Sequence, residues 1–527
     1  MAIPHPVLID GEWRQATPAG AFDSFDPKSA EPTGELYPVS AQEDVETALT
    51  AAAEATAAMT AAAVTAVPEF LEAFATRIEA RRDELVTMAH RETGLPITPR
   101  LTDVELPRTT DQLRQAATAA RSGSWRLPTI DTAAGIRSTY RPLGGPVAVF
   151  GPNNFPLAFN SIAGGDFAAA IAAGNAVIAK ANSSHPGTTR LLAEEAFEAT
   201  SQVGLPPTTV QMIYRTSHDV GQWLVAHPLL GATGYTGSRA AGLALKFAAD
   251  RAGKPIYLEL SSINPVVILP GAIAERGDEI ADEFCTSCLM GAGQFCTKPG
   301  LILLIAGKES ERFLRAAMER FQGAAVGTLL NAGVKEGMAR SVRSLCDAGA
   351  ELLTGGSVAE GPGYRYENTL LQVSGSQFLR QPERLQEEAF GNESLFVVVD
   401  DLDEGIAVAK RFEGNLTGCI YSHSGDADEK RYRALEPILR QRVGRLLNDK
   451  MPTGVAVSPA MNHGGPFPAT GHPGFTAVGI PASMRRFAML QCYDNVREHR
   501  LPPELHDANP VPDMWRSVDG VWTQKSL

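Results

Sequence analysis

Between Pro146 and Leu260 short apolar runs alternate with helix-patterned stretches, and this restricts the fold more than any other feature. Pro146–Phe150, Ala176–Ala179, Val210–Tyr214 and Ile256–Leu260 are too short for helices and carry too few polar residues for one-sided strands. They read as strands buried on both faces. Between them, Ala163 to Ala173, Ser217 to Ala226 and Ser238 to Ala252 read as helices. Strand and helix in alternation predict an α/β fold with a parallel sheet covered on both sides, a natural seat for a dinucleotide.

A second alternating block runs from Asn264 to about Val455, with apolar runs at Val266–Leu269, Leu301–Ile305 and Leu395–Val399, and predicts a second α/β domain. Upstream, Ser40 to Glu92 is rich in Ala, Glu and Arg. It opens with Ser40-Ala41-Gln42-Glu43, a capping-box pattern, and two helices are expected with a break near Pro68. The alanine-rich run Ala51 to Ala63 favours a packed helix over disorder. After Arg500 the chain is rich in proline and aspartate without clear periodicity, so an extended, surface-hugging tail is expected. No repeat of solenoid period is present.

Lys and Arg total 47 against 60 Asp and Glu, a net charge of −13 in 527 residues, which is the wrong sign for a phosphate-backbone binder. No nucleic-acid partner is expected. Met1 to Pro6 lacks the pattern of a secretory signal, and no apolar run is long enough to span a bilayer, so the expectation is a cytoplasmic protein without a membrane partner. Six cysteines are too sparse for a disulfide framework and read as free thiols. Cys285-x2-Cys288 lacks the second pair or histidines that would complete a zinc site, so no metal is expected.

Several residues could carry chemistry. Cys296 follows Gly291-Ala292-Gly293-Gln294-Phe295, where glycines could let backbone N–H groups approach a reacting atom; a buried inert thiol is the alternative. Glu259 ends an apolar strand, where a carboxylate suits a general base or a hydrogen-bonded strand end. The turn Gly234 to Gly242 opens a helix whose N–H groups could hold phosphate, although it lacks the G-x-G-x-x-G fingerprint. Asn154, in Pro152-Asn153-Asn154-Phe155-Pro156, could offer an amide to an oxyanion or simply form a turn.

Taken in order, Asn154-Phe155-Pro156, Lys180 at a strand end, Thr236-Gly237-Ser238, Glu259-Leu260, Gly293-Gln294-Phe295-Cys296 and Glu387-Glu388-Ala389-Phe390-Gly391 resemble the aldehyde dehydrogenase superfamily. The resemblance runs from Ile9-Asp10-Gly11-Glu12-Trp13 to about Tyr493. Phe155-Pro156-Leu157-Ala158-Phe159, Cys296-Thr297-Lys298-Pro299-Gly300 and His463-Gly464-Gly465-Pro466-Phe467-Pro468 are similar to its NADP-preferring branch, which contains α-ketoglutaric semialdehyde (2,5-dioxopentanoate) dehydrogenases.

This resemblance implies the aldehyde dehydrogenase fold. Residues 1–126 and 145–262 would form a Rossmann-like dinucleotide-binding domain and 263–470 the catalytic domain. Residues 127–144 and 471–500 would form a β-arm for oligomerisation, and 501–527 the tail. The arm implies a homodimer or homotetramer. Cys296 would be the nucleophile, Glu259 the base that hydrolyses a thioester, and Asn154 an oxyanion donor. Lys180 would contact the adenosine ribose, Gly237 and Ser238 would lie near the pyrophosphate, and Glu388 and Phe390 would position the nicotinamide ribose and ring. Ser183 stands where NAD-specific relatives commonly carry glutamate, which implies NADP use with NAD tolerated and makes Arg239 a candidate phosphate partner.

Phe155, Arg108 and His463 are the substrate-side candidates. Arg108 or His463 would receive the distal carboxylate of 2,5-dioxopentanoate; a surface salt bridge and a structural turn histidine are the respective alternatives. The rival activity is oxidation of medium or long aliphatic aldehydes, and the more distant rival is a noncatalytic structural protein with this fold. Glu259-Leu260 is followed by Ser261-Ser262-Ile263 where the wider family has Gly-Gly-Lys.

Overall fold

The computed structural model describes residues 3–61 and 65–527; Met1, Ala2 and the end of the alanine-rich run at Ala62 and Ala63 lie outside them. The first sheet has the order Ile256–Glu259, Ala232–Thr236, Val147–Phe150, Val177–Lys180, Val210–Ile213, Val7–Ile9, Glu12–Arg14. The first five strands are parallel, and the two amino-terminal ones add antiparallel. Chain order reverses between Val147–Phe150 and Ala232–Thr236, which opens a crevice at the carboxyl ends of those two strands.

The second sheet runs Glu351–Thr354, Thr369–Ser374, Glu393–Val399, Leu301–Ile305, Val266–Ile268, Asn415–Tyr421, Val443–Asn448, and all but the first are parallel. Its apolar runs have a simple cause. Val266 and Ile268 join Ile302 and Leu304 in one core, while Val267, Leu301 and Leu303 join the core on the other face. Each of those side chains contributes roughly 1.5–3 kcal/mol of burial, so neither face tolerates a polar residue.

The amino-terminal stretch holds three helices and not the two expected, Gln42–Ala61, Ala66–Ala80 and Arg82–Thr93, and Pro68 lies in the first turn of the second instead of breaking it. The capping box does not form as the sequence suggests. The Ser40 hydroxyl instead accepts the Tyr214 N–H at 3.1 Å and ties this helix entry to the first sheet.

In the arm, Ile136–Pro142 pairs antiparallel with Ala488–Asp494 and with Thr129–Asp131. The tail, expected to be extended, contains paired strands. Arg516–Val518 pairs with Thr129–Asp131 and forms a hairpin with Val521–Thr523, so the arm sheet has five strands. Arg516 is fully buried and donates to the carbonyls of His506, Asp507 and Lys525. Three-residue strands carry no periodicity to read. Phe475, Ala477 and Val478, grouped with the arm on sequence, pack instead against Phe155, Phe159 and Phe295.

Candidate active site

The carboxyl ends of the first sheet face the amino ends of the second. Gly151 to Asn154, Gly237-Ser238 and Leu260-Ser261 leave the first sheet, while the loops carrying Cys296 and Glu388 lead into Leu301–Ile305 and Glu393–Val399. Residues of all five segments line one cavity of about 340 Å³. Gly293 (φ +71°) makes the approach of the two loops possible, because a Cβ there would collide with the Gly391 carbonyl.

Cys296 and Glu259 line this cavity, and His463 lies against both of them. His463 Nε2 lies 2.7 Å from Glu259 Oε1 and 3.6 Å from Cys296 Sγ. His463 and Glu259 are each 1% exposed, and Glu259 Oε2 has no hydrogen-bond partner. Burial holds the Cys296 thiol well above its usual range; the Glu259 charge adds to this and Arg108 opposes it. The resting sulfur is therefore a thiol in need of a base. The His463 backbone N–H donates to Thr476 Oγ1 at 2.9 Å, and Phe159 packs edge-on against the imidazole at 5.9 Å. Asn154 is buried and donates from Nδ2 to the Gln294 carbonyl at 2.8 Å. A side-chain amide has two N–H groups, so a second remains.

The residues assigned to a cofactor occupy the crevice side. Glu388, Phe390, Gly237 and Ser238 line the cavity. Ser238 also caps helix Arg239–Arg251, its hydroxyl accepting the Ala241 N–H, which points a positive helix end at the crevice. Burial raises Glu388 to about 7 against hydrogen bonds from Ser261 and Ser262 and the charge of Lys298. Lys180 ends strand Val177–Lys180, and burial lowers it to about 8. Ser183 is half-buried in the following turn. A helix terminus, a lysine and a carboxylate around a switch-point crevice suit a dinucleotide's phosphates and ribose hydroxyls. Arg239 is already engaged, 3.0 Å from Glu413.

Beyond Phe155 and Phe295, the neighbours of Asn154 and Cys296, lies a second cavity of about 710 Å³. Val104, Met290, Val455 and Val457 make most of its wall apolar, with Arg100 and Arg108 at its edge. The Arg108 guanidinium sits 5.0 Å from the Phe159 ring, and its buried Nε and Nη2 have no partner. Burial lowers its pKa while the Cys296 and Glu105 charges oppose this. It makes none of the surface salt bridges considered from sequence. His463 faces Cys296 and Glu259.

Three residues here were not assigned from sequence. Arg100 donates to the Asn154 carbonyl at 2.9 Å and pairs with Glu105 at 3.2 Å. Glu105 is fully buried and accepts the N–H groups of Leu157 and Ala158, fixing the loop that carries Asn154. Lys298 donates to the Ala389 and Glu393 carbonyls and pairs with the Glu393 carboxylate at 3.3 Å, joining the Cys296 loop to the Glu388 loop. Lys298 stands two residues after Cys296, but neither arginine partnership has a local signal.

Residues 13–460 match the aldehyde dehydrogenase family. The chain is 40% identical over 516 residues to α-ketoglutaric semialdehyde dehydrogenase 2 of Azospirillum brasilense, covering 96% of this chain and 97% of that one. It is 37% identical to α-ketoglutaric semialdehyde dehydrogenase of Acinetobacter baylyi, covering 98% of each. The fold is similar to lactaldehyde dehydrogenase from Escherichia coli, with a TM-score of 0.80 at 23% identity, covering 94% of this chain and 99% of that one. Among the described residues no helix is long and apolar enough to cross a membrane.

Proposed function

The chain belongs to the aldehyde dehydrogenase family, and from that premise we propose that it oxidises 2,5-dioxopentanoate to 2-oxoglutarate with NADP, NAD serving less well. One observation carries the substrate. Arg108, on the wall of the larger cavity, presents a guanidinium whose buried Nε and Nη2 have no partner. Leaving such a group unpaired is costly, and a substrate carboxylate would satisfy it as a bidentate fork. Both near full-length relatives carry α-ketoglutaric semialdehyde in their names.

The geometry supports the following course of reaction. His463 Nε2 takes the Cys296 proton as sulfur attacks the aldehyde carbon, giving a thiohemiacetal. The free N–H of Asn154 and the Cys296 backbone N–H stabilise its oxyanion. Bound nicotinamide supplies the hydride acceptor, and the aldehyde carbon is left as a thioester on Cys296. Glu259 then draws a proton from water, whose oxygen attacks the thioester carbon and releases the acid and the thiol. Lys180 and the small, neutral Ser183 leave room and charge for a 2′-phosphate, whereas Arg239 must first leave Glu413. The free edges of the arm support assembly as a homodimer or homotetramer.

The test compares kcat/KM for 2,5-dioxopentanoate and propanal in wild type and Arg108→Met. Loss of a buried charge partner costs roughly 2–4 kcal/mol, so the keto-acid substrate should lose about 30- to 1000-fold while propanal changes little. Equal losses, or wild-type preference for alkyl aldehydes, would reject the assignment. The apolar wall of the larger cavity favours the alternative, a medium- or long-chain aldehyde.

A further inference from the structure

We propose that Cys296, His463 and Glu259 form an inhibitory site for one zinc ion. The three offer a thiol sulfur, an imidazole nitrogen and a carboxylate oxygen, all within 4.8 Å of one another. That donor set is the one zinc selects. With zinc–sulfur near 2.3 Å and zinc–nitrogen near 2.0–2.1 Å, the sulfur–nitrogen edge of a tetrahedron is about 3.5 Å; Sγ and Nε2 stand 3.6 Å apart. The nitrogen–oxygen edge must open from 2.7 Å to about 3.3 Å. Glu259 has the means for this, because its Oε2 is buried without a hydrogen-bond partner and either oxygen can turn inward.

Access and charge agree with the geometry. Cys296 is only partly buried and lines the 340 Å³ cavity, which provides an entry path and leaves the fourth position to water. Zinc entry breaks the Cys296 S–H bond and forms S–Zn, and the proton leaves to solvent. It also replaces the His463–Glu259 hydrogen bond by Zn–N and Zn–O bonds, the proton shared in that bond moving to His463 Nδ1, and nothing is oxidised or reduced. One thiolate and one carboxylate neutralise the dication, so a site that disfavours a bare thiolate accepts a metal-bound one. Binding needs only these three side chains; its inhibitory consequence rests on the dehydrogenase reading, since nucleophile and base would both be ligated.

The experiment uses the reduced full-length chain with the exposed thiols removed (Cys346→Ser, Cys492→Ser), so that they cannot bind zinc themselves. Equilibrium dialysis against zinc chloride should give one tight equivalent per chain. Cobalt(II) in its place should give a thiolate-to-cobalt absorption band. Cys296→Ser, made on that background, should abolish the band, and His463→Phe and Glu259→Gln should each weaken zinc binding by roughly tenfold or more. Aldehyde turnover should fall in step with zinc occupancy and return with a chelator. No tight equivalent, a band that survives Cys296→Ser, or binding indifferent to both other substitutions would overturn the site. Absence of Cys296-dependent turnover with any aldehyde would instead overturn the dehydrogenase reading and leave the cobalt band to decide the metal site.

Discussion

His463 Nε2 lies 2.7 Å from Glu259 Oε1, with both side chains almost wholly buried, and the same nitrogen faces the Cys296 sulfur. One imidazole nitrogen either carries a proton or accepts one, so Nε2 can take the thiol proton when it carries none of its own, leaving Glu259 to act on water. His463→Phe should lower kcat by roughly 10²-fold or more, the scale of a positioned base. Alkylation of Cys296 by iodoacetamide at pH 7 should slow as well, by about tenfold. Unchanged alkylation would confine His463 to a structural role.

Glu388 sits at about 7 because burial outweighs its hydrogen bonds. The carboxylate that would accept ribose hydroxyls is thus mostly absent at pH 6 and mostly present at pH 8. The KM for cofactor should fall by up to about tenfold as pH rises across that range, as expected when the ionised fraction rises through the pKa. Glu388→Gln should flatten the profile. A KM that rises with pH would reverse the assigned role.

Lys180, lowered to about 8 by burial, carries its charge below that pH and loses it above. The attraction proposed for a 2′-phosphate should therefore be present at pH 7 and fading at pH 9. The kcat/KM ratio of NADP to NAD should fall several-fold between those values. In Lys180→Met the ratio should be low and insensitive to pH; a ratio that holds through pH 9 in wild type would remove Lys180 from cofactor selection.

The parallel strands were legible because burial on both faces leaves uninterrupted apolar runs: Val177–Lys180 and Leu301–Ile305 differ from their sequence-based bounds by no more than two residues. The motif residues around Cys296, Glu259 and Asn154 could be listed in order along the chain, but their relations could not. His463 is 204 residues from Glu259 and acquires its meaning only when the antiparallel bridge between Glu259 and Thr470 brings that segment alongside. Ser40 met the local rule for a cap and bonded to Tyr214 instead, a competition between local and distant partners that sequence leaves open. Arg108 belongs to the same class, because an orphaned guanidinium is defined by what fails to surround it.

Lys298 and Glu393 supply the remaining prediction. Both are buried, and Lys298 Nζ reaches the Ala389 carbonyl between the two cofactor-side residues Glu388 and Phe390. Removing one partner of a buried ion pair leaves an uncompensated charge and costs about 3–5 kcal/mol. Lys298→Met should therefore lower the Tm measurably, and Lys298→Met with Glu393→Leu should recover part of that loss because no charge is left stranded. The double variant separates folding from positioning. Without the ammonium, the Ala389 loop loses its anchor and Glu388 a nearby positive charge, so cofactor KM should stay elevated after stability is partly restored. The cofactor KM profile should also shift to higher pH, because Lys298 is among the groups that hold Glu388 down. A double variant with wild-type cofactor KM and an unshifted profile would limit the pair to stability.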